Sequence, residues 1–130
     1  MPARSSFDYA VVRVVPHVER EEFLNAGIIL FCRTQEFLAA EVELHRDRLL
    51  ALAPDVDVEE VRHHLAAVPR LAAGGAQAGP IGRLTQAERF HWLVAPSSTS
   101  VQPSAVHSGL CHDPAVTLQH LMDRMVRLSA

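Results

Sequence analysis

The fold of this chain is decided by residues 7–44, which read FDYAVVRVV, PHVEREEFLNAG, IILFCR and TQEFLAAEVEL in order. Three of these four segments are apolar runs rich in Val, Ile, Leu and Phe. Such runs, separated by Pro, Asn, Gly and Thr, are typical of β-strands. We therefore predict one antiparallel sheet from residues 7–15, 28–33 and 37–44, with the last two strands joined as a hairpin.

The first strand has apolar residues on both of its faces, because apolar side chains occupy most odd and even positions of residues 7–15. A strand of this kind is expected to be covered on both sides. Arg13 lies in its middle and needs a partner or a route to the sheet edge, since an unpaired buried charge is costly. In residues 37–44, acidic and apolar residues alternate toward the end, which predicts one solvent-facing side.

After His45 the apolar spacing becomes helical, and several capping signals mark where helices begin. We predict a short helix over residues 46–52, a second that starts at Asp57 and is ended by Pro69, a third that starts at Thr85, and a last that starts at Asp113. The third should carry Phe90, Trp92 and Leu93, with Arg89 and His91 on its polar side. Residues 72–82, AAGGAQAGPIG, predict a mobile loop.

These elements predict an α+β fold in a single domain over residues 1–130, with three or four antiparallel strands and helices packed on one face. A further edge strand is expected through Val101, interrupted by Pro103. The longest apolar run is far too short to span a membrane, and the N-terminus lacks the apolar core of a secretory signal. We therefore expect a cytoplasmic protein.

Composition argues against several classes of ligand. The net charge is −3 and all twelve basic residues are arginines scattered along the chain. A nucleic-acid-binding protein is expected to be basic with clustered arginines, so nucleic acid is an unlikely partner. No nucleotide-binding loop and no C-x-x-C or H-E-x-x-H zinc motif is present. His107, Cys111 and His112 form a loose cluster in a predicted loop. Their spacing could serve a zinc ion, but a catalytic zinc site needs three ligands in a defined geometry, and no zinc motif supports one here. We predict no cofactor and no metal.

Two polar regions are candidates for a functional site. Glu22 and Asn25 lie in a short connection between two predicted strands, where functional residues are often held rigidly. The structural alternative is that Glu22 pairs with an arginine, Arg20 or Arg89, and that Asn25 caps a turn. We predict the pair between Arg89 and Glu22.

The second region is a run of polar side chains that could line an anion-binding groove beside Arg89. The alternative interpretation is that the run is simply a polar edge strand. Its members are Ser97, Ser98, Thr99, Ser100, Gln102 and His107. The adjacent pair His63 and His64 is expected on a solvated helix face, because neighbouring helix positions cannot bind one metal together.

Three longer stretches carry a family resemblance: EREEFLNAGIILF, RFHWLVAP with the following Ser/Thr run, and VQPSAVHSGLCHDP. Together they resemble a bacterial family known as domain of unknown function thirty thirty-seven, over nearly the whole chain. Members of that family are often encoded beside HipA-like serine/threonine kinases. The resemblance thus implies a kinase of that type as a protein partner, and it implies no chemistry.

Two hypotheses follow. The first is a non-catalytic accessory or protein-interaction domain that acts with a protein partner such as a HipA-like kinase. The alternative is a small enzyme, or a nucleotide- or nucleic-acid-processing protein, that uses Glu22, Asn25, Arg89, Ser98 and His107. An enzyme is expected to bring those groups together in one cleft, whereas an interaction domain is expected to expose a contiguous apolar patch.

Overall fold

The computed structural model describes residues 3–97 and 99–128, and an antiparallel sheet lies at its centre. Within these residues the strands are β1 (Ser5–Val14), β2 (Leu24–Cys32), β3 (Phe37–Val42), β4 (Val101–Pro103) and β5 (His107–Cys111). Their order across the sheet is β3-β2-β1-β4, and β5 also pairs with β1. The predicted α+β fold and the β2–β3 hairpin are confirmed.

Strand β1 is the centre of the sheet, because β4 and β5 pair with successive parts of its second edge. Val12–Val14 pairs with β4 and Ser5–Tyr9 pairs with β5. Between the two, the Val11 N–H donates to the Ser104 hydroxyl at 2.8 Å, and the Ser104 N–H donates to the Val11 carbonyl at 2.8 Å. The sheet of the described residues therefore has five strands, where three or four were expected. The predicted edge strand through Val101 is β4, and β5 follows it along the same edge of β1. Residues 107–111 form a strand, where a loop was expected.

The α-helices of the described residues are α1 (Arg46–Leu52), α2 (Val58–Ala73), α3 (Gln86–Leu93) and α4 (Pro114–Met125), with 3₁₀ segments at Val18–Arg20 and Ala76–Arg83. The predicted caps are formed: Asp57 accepts from the Glu60 N–H at 3.1 Å and Asp113 from the Ala115 N–H at 3.0 Å. Thr85 and Glu88 form a reciprocal capping box. No helix in these residues is both long and apolar enough to cross a membrane.

The end of α2 differs from the prediction. Pro69 lies inside the helix, which continues to Ala73 and ends at Gly74, a residue with φ of 76°. A proline removes one N–H donor from the helix, yet the turn that follows is anchored by Ala72, which is fully buried. The first two residues of the predicted loop 72–82 therefore belong to α2. Most of its other residues lie in the 3₁₀ segment Ala76–Arg83. The predicted mobility of residues 72–82 stays a prediction.

The helices cover both faces of the sheet, which corrects the expectation that they pack on one face. One core cluster joins β1–β3 to α1, α2 and α3, and includes Val12, Ile29, Leu49, Leu65 and Phe90. The other joins the opposite face to α4, and includes Val11, Leu30, Leu118 and Met122. The physical reason lies in β1 and β2: both present apolar side chains on both faces, so each face needs a covering layer.

Candidate functional site

A groove of about 480 Å³ opens between α2, the end of α3 and the edge strand β4. Val12 and Ile29 of the sheet lie at its floor, and both are almost fully buried. Its walls are mainly apolar. They consist of His63, His64, Ala67, Val68 and Leu71 from α2, Trp92 and Leu93 from α3, and Ala95, Pro96, Ser97, Thr99, Val101, Gln102 and Pro103 after it.

Trp92 is the largest exposed side chain of the groove. It is 53% exposed, whereas its neighbours Phe90 and Leu93 are 5% and 8% exposed and belong to the core. The sequence interpretation had grouped all three as one apolar face. Phe90 and Trp92 are two helix positions apart and therefore point in different directions. An exposed tryptophan beside an apolar groove is typical of a surface that receives another molecule.

The hydroxyl groups of the groove are engaged with one another. The Ser97 and Thr99 hydroxyls lie 2.9 Å apart, and the Thr99 hydroxyl donates to the Val101 carbonyl at 2.8 Å. The Gln102 amide donates to the Thr99 carbonyl at 2.8 Å. These bonds shape the turn that leads into β4, in the manner of Ser/Thr turns. Ser97, Thr99 and Gln102 are therefore hydrogen-bonded within the segment that leads into the edge strand β4. This agrees with the alternative stated above for the second region, a polar edge strand.

The outer edge of β4 is poorly suited to pairing with another strand. Pro103 has no N–H to donate. The Val101 carbonyl already accepts the Thr99 hydroxyl. Edge strands are often protected from strand addition in such ways. The groove therefore offers a ligand mainly apolar side chains.

Glu22 and Asn25 each have a structural partner. Glu22 forms an ion pair with Arg20, both side chains being largely exposed. The guanidinium of Arg20 has a raised pKa because of its hydrogen bond to Glu22. Asn25 lies in β2 and not in the predicted connection, because β2 already begins at Leu24. Its amide donates to the Met125 carbonyl at 3.1 Å and so caps the C-terminal end of α4. The structural alternative predicted for Glu22, a pair with Arg20, is confirmed.

Arg89 is where the sequence interpretation was wrong. It was expected on the polar side of α3 and paired with Glu22, but its side chain is 8% exposed and donates to two backbone carbonyls. These are Leu84 at 2.6 Å and Ala72 at 3.2 Å. Gly74 makes room for the guanidinium, since a Cβ there would lie 2.8 Å from the Arg89 Cζ. Arg89 therefore ties α3 to the end of α2 and is not free to hold an anion in solvent.

His107 lies on a different part of the sheet from these residues. It is exposed at the start of β5, and its ring lies 5.4 Å from that of Tyr9, its neighbour across the strand pair. Ser98 lies outside the described residues. Glu22, Asn25, Arg89 and His107 do not line the groove, and none of the four is hydrogen-bonded to another. The shared cleft expected of the enzyme hypothesis is therefore not formed by these four.

Comparison with known proteins agrees with the family resemblance. The chain matches the family described as protein of unknown function (DUF3037) over residues 9–126. The chain belongs to the DUF3037 family. No curated protein and no solved structure is significantly similar to it. Family membership thus covers the sheet, the groove and α4, and brings no assigned chemistry.

The groove of this DUF3037 chain was not predicted from the sequence, although one of its walls has a recognisable sequence pattern. His64, Val68 and Leu71 recur at helical spacing and form a stripe along α2 beside the buried positions Val61 and Leu65. His63 and His64 are exposed, as predicted, but they stand at the wall of the groove. The position of that wall relative to β4 depends on packing between distant segments, which periodicity does not report.

The two cysteines of the DUF3037 chain are buried on the α4 face of the sheet. Burial is the main reason that the pKa of the Cys111 thiol is raised, with the nearby Cys32 as the next cause. A buried thiol with a raised pKa is a poor nucleophile. Within residues 3–97 and 99–128 no three His, Cys, Asp or Glu side chains are grouped as metal ligands.

Proposed function

We propose that this chain is a non-catalytic protein-interaction domain whose groove binds the apolar face of a helix from a partner protein. The observation that carries the proposal is the groove itself, an apolar slot of about 480 Å³ with the exposed Trp92 on its wall. Aromatic residues at the centre of apolar depressions often dominate binding energy. Of the residues proposed for an enzyme, Glu22, Asn25 and Arg89 are each bonded to a structural partner away from the groove.

A helix is favoured over an extended segment by the state of the β4 edge. An added strand gains affinity from main-chain hydrogen bonds. Here Pro103 has no N–H to donate and the Val101 carbonyl already accepts one hydrogen bond, so the outer edge offers fewer of those bonds than an ordinary edge strand. A helix satisfies its own backbone and needs from the groove only apolar contact. Val68, Leu71 and Trp92 supply that contact from two neighbouring helices.

A HipA-like kinase is the partner that the family resemblance implies, and it is the first partner to test. In the test, a HipA-like kinase is co-expressed with three forms of this chain: wild type, Trp92→Ala and Leu110→Ala. Leu110 is the matched control, because it is 58% exposed on β5 and does not line the groove. We expect the kinase to co-purify with wild type and Leu110→Ala, and to be lost or strongly reduced with Trp92→Ala.

Direct contact is tested by fluorescence, since Trp92 is the single tryptophan of the chain. Synthetic amphipathic helices taken from the kinase are titrated into the protein. Burial of Trp92 by an apolar helix face should shift its emission to shorter wavelength in a saturable manner. Equal co-purification of the kinase with Trp92→Ala and Leu110→Ala would show that the groove is not the contact. Absence of co-purification with the wild type would remove the kinase as the partner.

A further inference from the structure

Arg13 has a different environment from the other partly buried arginines. It lies on β1, opposite Asn25 of β2 and Gln102 of β4, at an irregularity in the β1–β2 pairing. Its guanidinium lies over the ring of Phe23, with 4.1 Å between its Cζ and the ring centroid. Arg89 and Arg127, by contrast, are held by backbone carbonyls and by carboxylates.

The side chain of Arg13 carries an uncompensated charge. The ion pairs among residues 3–97 and 99–128 do not include Arg13. Its Nε is buried and has no acceptor among those residues, as is also true of the Arg89 Nε. Arg89, however, donates through both of its other nitrogens to backbone carbonyls. Phe23, which lies against it, is 45% exposed, so the pair is placed at the surface. A guanidinium held flat on an aromatic ring has its plane fixed, which favours two parallel hydrogen bonds to one oxyanion.

We propose that Arg13 and Phe23 form a binding site for a single carboxylate, such as the side chain of an aspartate or glutamate in a partner. One guanidinium balances the charge of one carboxylate. A phosphate group carries about −1.5 to −2 charges and usually draws more than one cation. The arginine closest in the chain, Arg20, is already paired with Glu22. The site is independent of the groove, since neither Arg13 nor Phe23 lines it.

The test uses the full chain labelled with ¹⁵N and a small probe, N-acetyl-aspartate amide, which carries one carboxylate. The probe is titrated at constant ionic strength while the Arg13 Nε–Hε signal and the backbone amide signals of residues 13 and 23 are followed by NMR. We expect a saturable shift confined to this site. Inorganic phosphate is titrated in parallel, and it should bind more weakly than the carboxylate.

Two variants and one control make the outcome specific. Arg13→Gln should abolish the saturable shift. Phe23→Leu keeps the charge but removes the ring that fixes the guanidinium plane. It should weaken binding by at most roughly two- to five-fold, the full worth of an exposed cation–π contact. Arg33→Gln is the control, because Arg33 is also near an aromatic ring, at 5.5 Å from that of Phe31, and should bind like wild type.

Three results would overturn the proposal. The first is a wild-type protein that shows no saturable shift at Arg13. The second is an equal response at Arg33, which would indicate general screening of charge. The third is tighter binding of phosphate than of the carboxylate, which would assign the site to another ligand. Backbone amide spectra of Arg13→Gln and Phe23→Leu establish that each variant is folded before it is compared.

Discussion

The two faces of the sheet are covered in different ways, and the difference indicates where this protein is built to meet another molecule. The α4 face is closed. Asn25 donates to the Met125 carbonyl, the His45 ring nitrogen lies 3.1 Å from the Val126 carbonyl, and Arg127 contacts Glu41 at 3.2 Å. These contacts bond the end of α4 to residues of the sheet and of the chain that follows β3.

The opposite face is covered by α1, α2 and α3 but remains open beside β4. There the helices stop short of the edge strand, and Trp92 stays exposed above the sheet residues Val12 and Ile29. A closed face is expected to contribute mainly to stability, whereas an open apolar groove contributes little stability and is available for binding. The predictions below measure that contrast.

The largest effect is expected at Met122, in the middle of the α4 face. Met122 is fully buried, so Met122→Ala should lower the free energy of unfolding by about 2–5 kcal/mol in urea denaturation. Leu71→Ala, in the groove wall, should cost about 1 kcal/mol, because a partly exposed side chain loses less burial. Equal costs at the two positions would show that the groove face is packed as tightly as the α4 face.

The next effect concerns Arg89, which holds the groove helices together. Arg89→Ala should lower the free energy of unfolding by about 2–3 kcal/mol, because a buried and a partly buried carbonyl lose a charged donor and a void opens against Gly74. The control is the exposed Arg83, where Arg83→Ala should change stability by less than about 0.5 kcal/mol. If both variants are equally stable, the hydrogen bonds of Arg89 contribute nothing measurable.

A smaller effect is expected at Asn25. Asn25→Ala should lower the free energy of unfolding by about 1 kcal/mol, the usual value for one hydrogen bond. Asn25→Asp has nearly the same shape but cannot donate, and it places a carboxylate against the Met125 carbonyl. It should therefore be less stable than Asn25→Ala. The reverse order would mean that Asn25 does not act as a cap of α4.

Trp92 is expected to be nearly neutral for stability. Because it is 53% exposed, Trp92→Ala should change the free energy of unfolding by less than about 0.5 kcal/mol. Phe90→Ala on the core side of the same helix should cost about 3–5 kcal/mol. A large loss of stability in Trp92→Ala would mean that the tryptophan is part of the core, and the groove would lose its main contact residue.

The smallest effect is a pH dependence at the start of α3. The backbone N–H and the hydroxyl of Thr85 lower the pKa of Glu88 in the folded protein. Its contribution to stability is therefore present above the pKa of the unfolded chain and is lost as the pH falls through the lower folded value. Glu88→Gln should therefore show a shallower loss of stability in acid than the wild type when the free energy of unfolding is measured across that pH range.

The amino-acid sequence determined the local features of this protein. The strands β1, β2 and β3 followed from apolar runs, because strand pairing needs little more than that pattern and a turn. The starts of α2, α3 and α4 followed from Asp57, Thr85 and Asp113, since a cap acts on N–H groups two or three residues away. The family also followed from the sequence, and the match over residues 9–126 confirms it.

Only the tertiary structure decided the roles of the polar side chains. Arg89 shares a helix face with Leu93 by spacing, but its acceptors come from other elements, one of them 17 residues earlier in the chain. Asn25 caps a helix 100 residues later. Local sequence patterns do not predict such partners, because a hydrogen bond between distant segments depends on how the helices and the sheet pack. The placement of α4 on the second face and the groove beside β4 were decided in the same way.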